Sequence, residues 1–163
     1  MIFGMTPFTF VHVALSLIGI AAGLVVLRGL LRSNPMNGWT ATFLVTTAAT
    51  SLTGFLFPFH GMTPGIVVGV LSLIVLAVAA AGRYVFHLAG PWRWLYAAGS
   101  VTALYFNVFV LIVQSFLKLP PLHALAPTTP PSGPAFAAAQ GLALVFFVAM
   151  GILAARRFRP PGV

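Results

Sequence analysis

The stretch FTFVHVALSLIGIAAGLVVLRGLL, Phe8 to Leu31, decides the fold: His12 and Arg28 are its only basic side chains and it has no acidic one. A crossing of the ~30 Å hydrocarbon core takes about 20 predominantly apolar residues at about 1.5 Å each, so a run of this length reads as a transmembrane helix. Working outward, four more runs meet the same test: Trp39 to Phe57, Gly65 to Leu88, Trp92 to Leu117 and Pro134 to Ala155. The turn-rich Ser33-Asn34-Pro35-Met36-Asn37-Gly38 precedes the second, Pro58 to Pro64 precede the third, and Gly90-Pro91 divide the third from the fourth. Arg83 and His87 fall inside the third apolar pattern and are expected to reach toward the interface. No positive charge precedes Phe8, and the run exceeds a signal-peptide core, which predicts a retained helix.

The composition of the whole chain agrees. Of 163 residues, 60% are hydrophobic and 5% charged, whereas soluble domains carry about 25% charged residues. Mean hydropathy is +1.08. The expectation is one domain over residues 1–163, an all-α integral membrane bundle of five transmembrane helices. With no Asp or Glu in the chain, carboxylate-pair hydrolysis, Ser-His-Asp relays, carboxylate-rich Ca²⁺ or Mg²⁺ sites and carboxylate proton relays are excluded. With no Cys, so are disulfides, thiolate catalysis, iron–sulfur clusters and covalent c-type haem. The net charge of +8 comes without a Lys/Arg run or aromatic–basic interleaving, so no nucleic acid is expected as a partner.

Loop charge predicts the orientation, because Lys and Arg are retained on the cytoplasmic side. Arg28 and Arg32 follow the first span, Arg83 and Arg93 flank the turn between the third and fourth, and Arg156, Arg157 and Arg159 follow the fifth. Only Lys118 falls on the other side. The N-terminus is therefore expected outside and the C-terminus in the cytoplasm, with Trp39, Trp92 and Trp94 as anchors at cytoplasmic ends. The exterior loop, residues 119–133, holds five prolines and is expected to be stiff and only briefly helical. Five spans do not divide into two equal halves, which disfavours an inverted-repeat transporter.

Polar side chains within the spans mark the candidate sites. At about 100° per residue, His12, Ser16, Gly19 and Gly23 share one sector of the first span, and Thr42, Thr46, Thr50 and Thr53 share one of the second. Ser100, Asn107 and Gln114 recur at intervals of seven along the fourth, and Gln140 lies in the fifth. Small and hydroxyl residues let helices approach, and amides bond across them. His12, Gln114 and Gln140 all lie near the exterior end of their spans, with His60 and His123 in exterior loops. This predicts an outer-face cofactor site of His12, His60, Gln114 and Asn107, and a metal set of His12, His60 and His123. The sequence does not name a cofactor; neutral imidazole would serve haem b or copper, the latter with Met5 or Met62 as a soft ligand, and with water or amides added it would serve zinc. A quinone or lipid pocket bounded by Tyr105, Phe106 and Phe109 is a further alternative.

The order His12, Gly19, Gly23, Arg28, then a Thr-rich helix ending Leu52-Thr53-Gly54, resembles a group of bacterial multi-span membrane proteins of the domain-of-unknown-function type. The segments Phe57-Pro58-Phe59-His60-Gly61 and Tyr105-Phe106-Asn107-Val108-Phe109-Val110-Leu111 carry the same likeness. The resemblance implies a multi-pass protein of the bacterial cytoplasmic (inner) membrane with a histidine-bound cofactor. Two functions are expected as competitors. One is a non-catalytic accessory or structural subunit, with lipids and other membrane subunits as partners. The other is a haem- or copper-binding redox protein.

Overall fold

The structure is a computed structural model that describes residues 6–58 and 64–160, and every described element is helical. The long helices are α1 (Pro7–Leu31), α2 (Asn37–Gly54), α3 (Pro64–Ala80), α4 (Trp92–Lys118) and α6 (Pro134–Arg157). The short α5 (Pro120–His123) lies in the proline-rich loop. Among the described residues, four stretches are long and apolar enough to cross a membrane: Pro7–Leu31, Gly65–Val85, Trp92–Lys118 and Pro134–Arg157. The remaining long helix, α2, carries six threonines and falls outside that set.

Local chemistry sets the ends. Thr6 caps α1, its hydroxyl accepting from the Thr9 amide at 3.2 Å, and Pro7 follows at the first helical position, where its missing N–H costs nothing. Pro134 opens α6 in the same way. The apolar pattern of the third run extends to Leu88, but the helix stops earlier. After Ala80 the backbone widens into a π turn over Ala81–Val85 and then reverses, with His87 and Leu88 in the left-handed region at φ +47° and +63°. The Leu88 amide, folded back, donates to the Gly82 carbonyl at 2.8 Å. Hydropathy cannot register this reversal, since Leu88 remains buried after the turn.

Helix α1 packs against α2 and α4, α3 lies beside α2 and α4, and α6 leans mainly on α4. The core holds Phe43 of α2, Tyr96, Val101 and Leu104 of α4, Ala22, Val26 and Leu30 of α1, and Phe158 just beyond α6. Close approach is made by a Gly-x-x-x-Gly pair on α1. A Cβ at Gly19 would stand 3.1 Å from Thr47 Oγ1, and one at Gly23 2.6 Å from Leu104 Cδ1. Both glycines are thus consumed within the chain.

One end of the bundle gathers the arginines. The Ser33 hydroxyl donates to the Arg157 carbonyl at 2.7 Å and accepts from the Arg159 amide at 3.0 Å, tying the end of α6 to the end of α1. Arg83 Nη2 donates to Asn37 Oδ1, joining the π turn to the start of α2. Lys118, at the far end of α4, lies at the opposite end, as does His12.

Candidate functional site

The polar side chains of the interior form three clamps along α2, and hydroxyl geometry fixes the direction of two of them. Thr40 Oγ1 donates its one proton to the Pro35 carbonyl at 3.0 Å, so at the 3.1 Å contact with Tyr96 the phenol must donate and Thr40 accept. Thr53 Oγ1 spends its proton on the Ala49 carbonyl at 2.7 Å, so His12 Nδ1 donates to it across 2.8 Å. Between these two, Asn107 Nδ2 donates to Thr47 Oγ1 at 3.1 Å. Helix α2 therefore presents three hydroxyl acceptors, Thr40, Thr47 and Thr53, filled from α4, α4 and α1. Successive clamps are six or seven residues apart, about 10 Å along the helix. That separation is three hydrogen-bond lengths, so they act as separate locks between helices.

His12 is the most chemically capable of the donors. It is half-buried, edge-on to the Phe57 ring at 5.0 Å. Phe57 also meets Phe8 at 4.9 Å. Because Nδ1 carries its proton toward Thr53, the neutral ring keeps its lone pair on Nε2. A ligating histidine is commonly held in this way by its other nitrogen. His123 is similar, its Nδ1 donating to the Phe116 carbonyl at 3.2 Å.

The other predicted positions divide. Asn107 is buried beside Gly19 and Thr47, as a structural clamp rather than a lining of open space. Gln114 is exposed on α4 and has no hydrogen-bond partner among the described residues. An interval of seven slips by only about 20° per heptad on a straight helix, so residues on one heptad stripe, buried at Ser100 and Asn107 and exposed at Gln114, differ mainly in what covers that face. Gln140 turns inward, with Nε2 donating to the Phe109 carbonyl at 3.2 Å and Oε1 buried without a partner among the described residues. His60 lies outside the described residues, as do Met5 and Met62. Among the described residues no three His, Cys, Asp or Glu side chains are grouped. Tyr105 packs against Phe106, Phe109 and Phe147 at 5.8–6.2 Å, a cluster of rings between α4 and α6.

Sequence reasoning selected the threonines at 42, 46, 50 and 53, yet of these only Thr53 bonds to another helix. Thr42, Thr46 and Thr50 bond back to the carbonyl four residues earlier. The bridging positions Thr40 and Thr47 were missed. Thr40 and Thr47 are seven apart while their partners on α4, Tyr96 and Asn107, are eleven apart, so no matched period in the sequence marks them.

Over the described residues, these features define an all-helical protein with four helices long and apolar enough to cross a membrane, locked through hydroxyl acceptors on one further helix. No protein-family model, curated protein or solved structure matches the chain.

Proposed function

We propose that the chain is a five-span protein of the bacterial cytoplasmic membrane, N-terminus outside, and a non-catalytic accessory or structural subunit of a larger membrane assembly. The polarity of α2 supports the fifth crossing. Thr40, Thr47 and Thr50 are buried while Val45 and Leu52 are 67% and 55% exposed, the reverse of a helix bordering water. Eighteen residues make about 27 Å of helix, close to the ~30 Å of a hydrocarbon core. The gathering of the arginines at one end supports the orientation.

The observation that carries the subunit reading is α6. It rests on α4 along one side, and its other side presents Ala137, Gly141, Leu142 and Val145 outward. A Cβ on Gly141 meets no atom within 4 Å, so the Ala137-x-x-x-Gly141 face has the small-residue form that admits a neighbouring helix. A photo-crosslinking residue at Gly141, compared with one at Val45 of α2, tests this in native membranes. A discrete adduct from Gly141 alone, containing a second membrane chain, is expected. Lipid adducts only, at both positions, refute the subunit role.

A second reading, redox chemistry through a histidine-bound haem or copper, is favoured by one specific feature: the His12 tautomer that leaves Nε2 unprotonated. A visible spectrum and metal analysis of the purified protein, with His12→Ala and His60→Ala beside it, decide it. A colourless, metal-free preparation from metal-replete cells removes this reading.

A further inference from the structure

The arginine-bearing end contains a groove that neither reading above uses. Its mouth is an open depression of about 640 Å³ where the start of α2 meets the π turn, with Asn37, Gly38, Ala41, Arg83, Tyr84 and His87 among its lining. That volume is within the range of about 300–1,000 Å³ usual for ligand pockets. A narrower trough of about 260 Å³ lies further along the same pair of helices, walled by Leu44 and Ala48 of α2 and by Leu73, Leu76, Ala77 and Ala80 of α3. Ala41 at the mouth stands one helical turn from Leu44 in the trough, and Arg83 one turn from Ala80, so the two hollows follow one α2–α3 seam. Both hollows are mostly apolar, but the mouth holds the Arg83 cation beside Asn37 and His87, whereas the trough is lined by Leu and Ala alone.

Arg83 is held in place rather than left to wander. Its guanidinium donates to Asn37 Oδ1 and lies over the Tyr96 and Tyr84 rings, 5.3 and 5.8 Å from their centroids. Asn37 and the two rings carry no charge, and the chain has no Asp or Glu side chain that could neutralise the cation. A guanidinium has five N–H donors, and its fork suits a phosphate. The positive end of the α2 dipole, which has no side-chain cap, faces the same mouth and adds to its preference for an anion.

The geometry points to a binding site for an anionic glycerophospholipid. The phosphate meets Arg83 at the mouth and one acyl chain lies in the trough between α2 and α3. Basic pockets between transmembrane helices on the cytoplasmic side take anionic headgroups for this reason. The apolar trough selects the lipid over free phosphate, which fills only the mouth. The site rests on the membrane-spanning reading but not on the subunit role.

Native mass spectrometry of the protein released from nanodiscs tests the proposal, with phosphatidylglycerol and phosphatidylcholine supplied in equal amounts. Failure of the chain to enter the nanodisc fraction would reject the membrane-spanning reading itself, before any lipid is counted. In the wild type one phosphatidylglycerol is retained in preference to phosphatidylcholine. Arg83→Gln lowers that preference about fivefold, the effect of one interfacial cation, while Arg156→Gln, outside the groove, leaves it unchanged. Gly38→Glu provides a variant whose backbone is undisturbed, because a Cβ there meets nothing within 4 Å and an acidic residue suits a helix N-terminus. Its carboxylate at the mouth lowers retention at least as far. Ala77→Leu fills the trough, leaves the cation in place, and lowers retention of the two-chain lipid. Equal retention of the two lipids, equal losses in Arg83→Gln and Arg156→Gln, or displacement of the lipid by millimolar inorganic phosphate would each overturn the assignment.

Discussion

Replacing Gly23 by Ala, beside the same change at Gly141, measures how tightly α1 is locked into the bundle. A Cβ on Gly23 stands 2.6 Å from Leu104 Cδ1 and 2.9 Å from Phe43 Cε2, whereas non-bonded carbons rest about 3.5–4.0 Å apart. Leu104 and Phe43 are 1% and 0% exposed, and a close-packed interior gives them no room to retreat. Helix α1 must therefore move off α2 or α4 by about 1 Å, and overpacking of this kind costs about 1–3 kcal/mol. Against it stands the gain in helix propensity on Gly→Ala, about 1 kcal/mol. At Gly141 the added methyl touches nothing within 4 Å, so only the propensity gain is left. Subtracting one variant from the other cancels the propensity and isolates a steric cost of about 1–3 kcal/mol. Reversible unfolding in mixed micelles, followed by circular dichroism, is the assay. Gly141→Ala is expected at or above the wild-type midpoint. Gly23→Ala should melt below Gly141→Ala by about 2–4 °C for each kcal/mol of that cost. Coincident midpoints for the two variants would mean that α1 does not approach α2 and α4 this closely, and the reasoning would fail.

Three further outcomes are expected. A double-mutant cycle of Asn107→Ala and Thr47→Val should give a coupling of about 0.6–1.7 kcal/mol, the range for hydrogen bonds between membrane helices; strictly additive losses would show that the clamp is not made. Nitrogen NMR of the neutral His12 ring should find the proton on Nδ1, and Thr53→Val should release a mixture of tautomers; a wild-type ring without preference contradicts the assigned bond. Because the chain has no cysteine, Asn34→Cys and Ser132→Cys can be labelled without background in intact cells. An impermeant maleimide should reach only Ser132→Cys, and labelling of both or of Asn34→Cys alone refutes the orientation.

Two sequence-based expectations about the interior fared differently for a common reason. Asn107 and Gln114 stand on one heptad stripe, yet the first is a buried clamp and the second faces outward. Gln140, at the same exterior end as Gln114, instead turns in toward the Phe109 carbonyl. An interval of seven says which residues lie roughly above one another, but the direction that stripe faces depends on which helix is the neighbour. The threonines repeat the lesson, since those that bridge to other helices are Thr40, Thr47 and Thr53, one of the four selected by periodicity and two outside it.

Where the apolar runs lie, and that the arginines fall at their ends, can be read residue by residue. Transfer into hydrocarbon and the cost of moving a cation through it are properties of the individual side chain and its immediate segment. The pairing of α1 with α2 and α4, the donor and acceptor in each clamp, and the seating of Arg83 on Asn37 and Tyr96 came only from the tertiary structure. These depend on side chains 13 to 60 residues apart in sequence, and no local pattern encodes which distant face supplies the partner. The π turn belongs with them: hydropathy runs on through Leu88 while the backbone turns back, because burying Leu88 rewards the reversal as well as it would a longer helix.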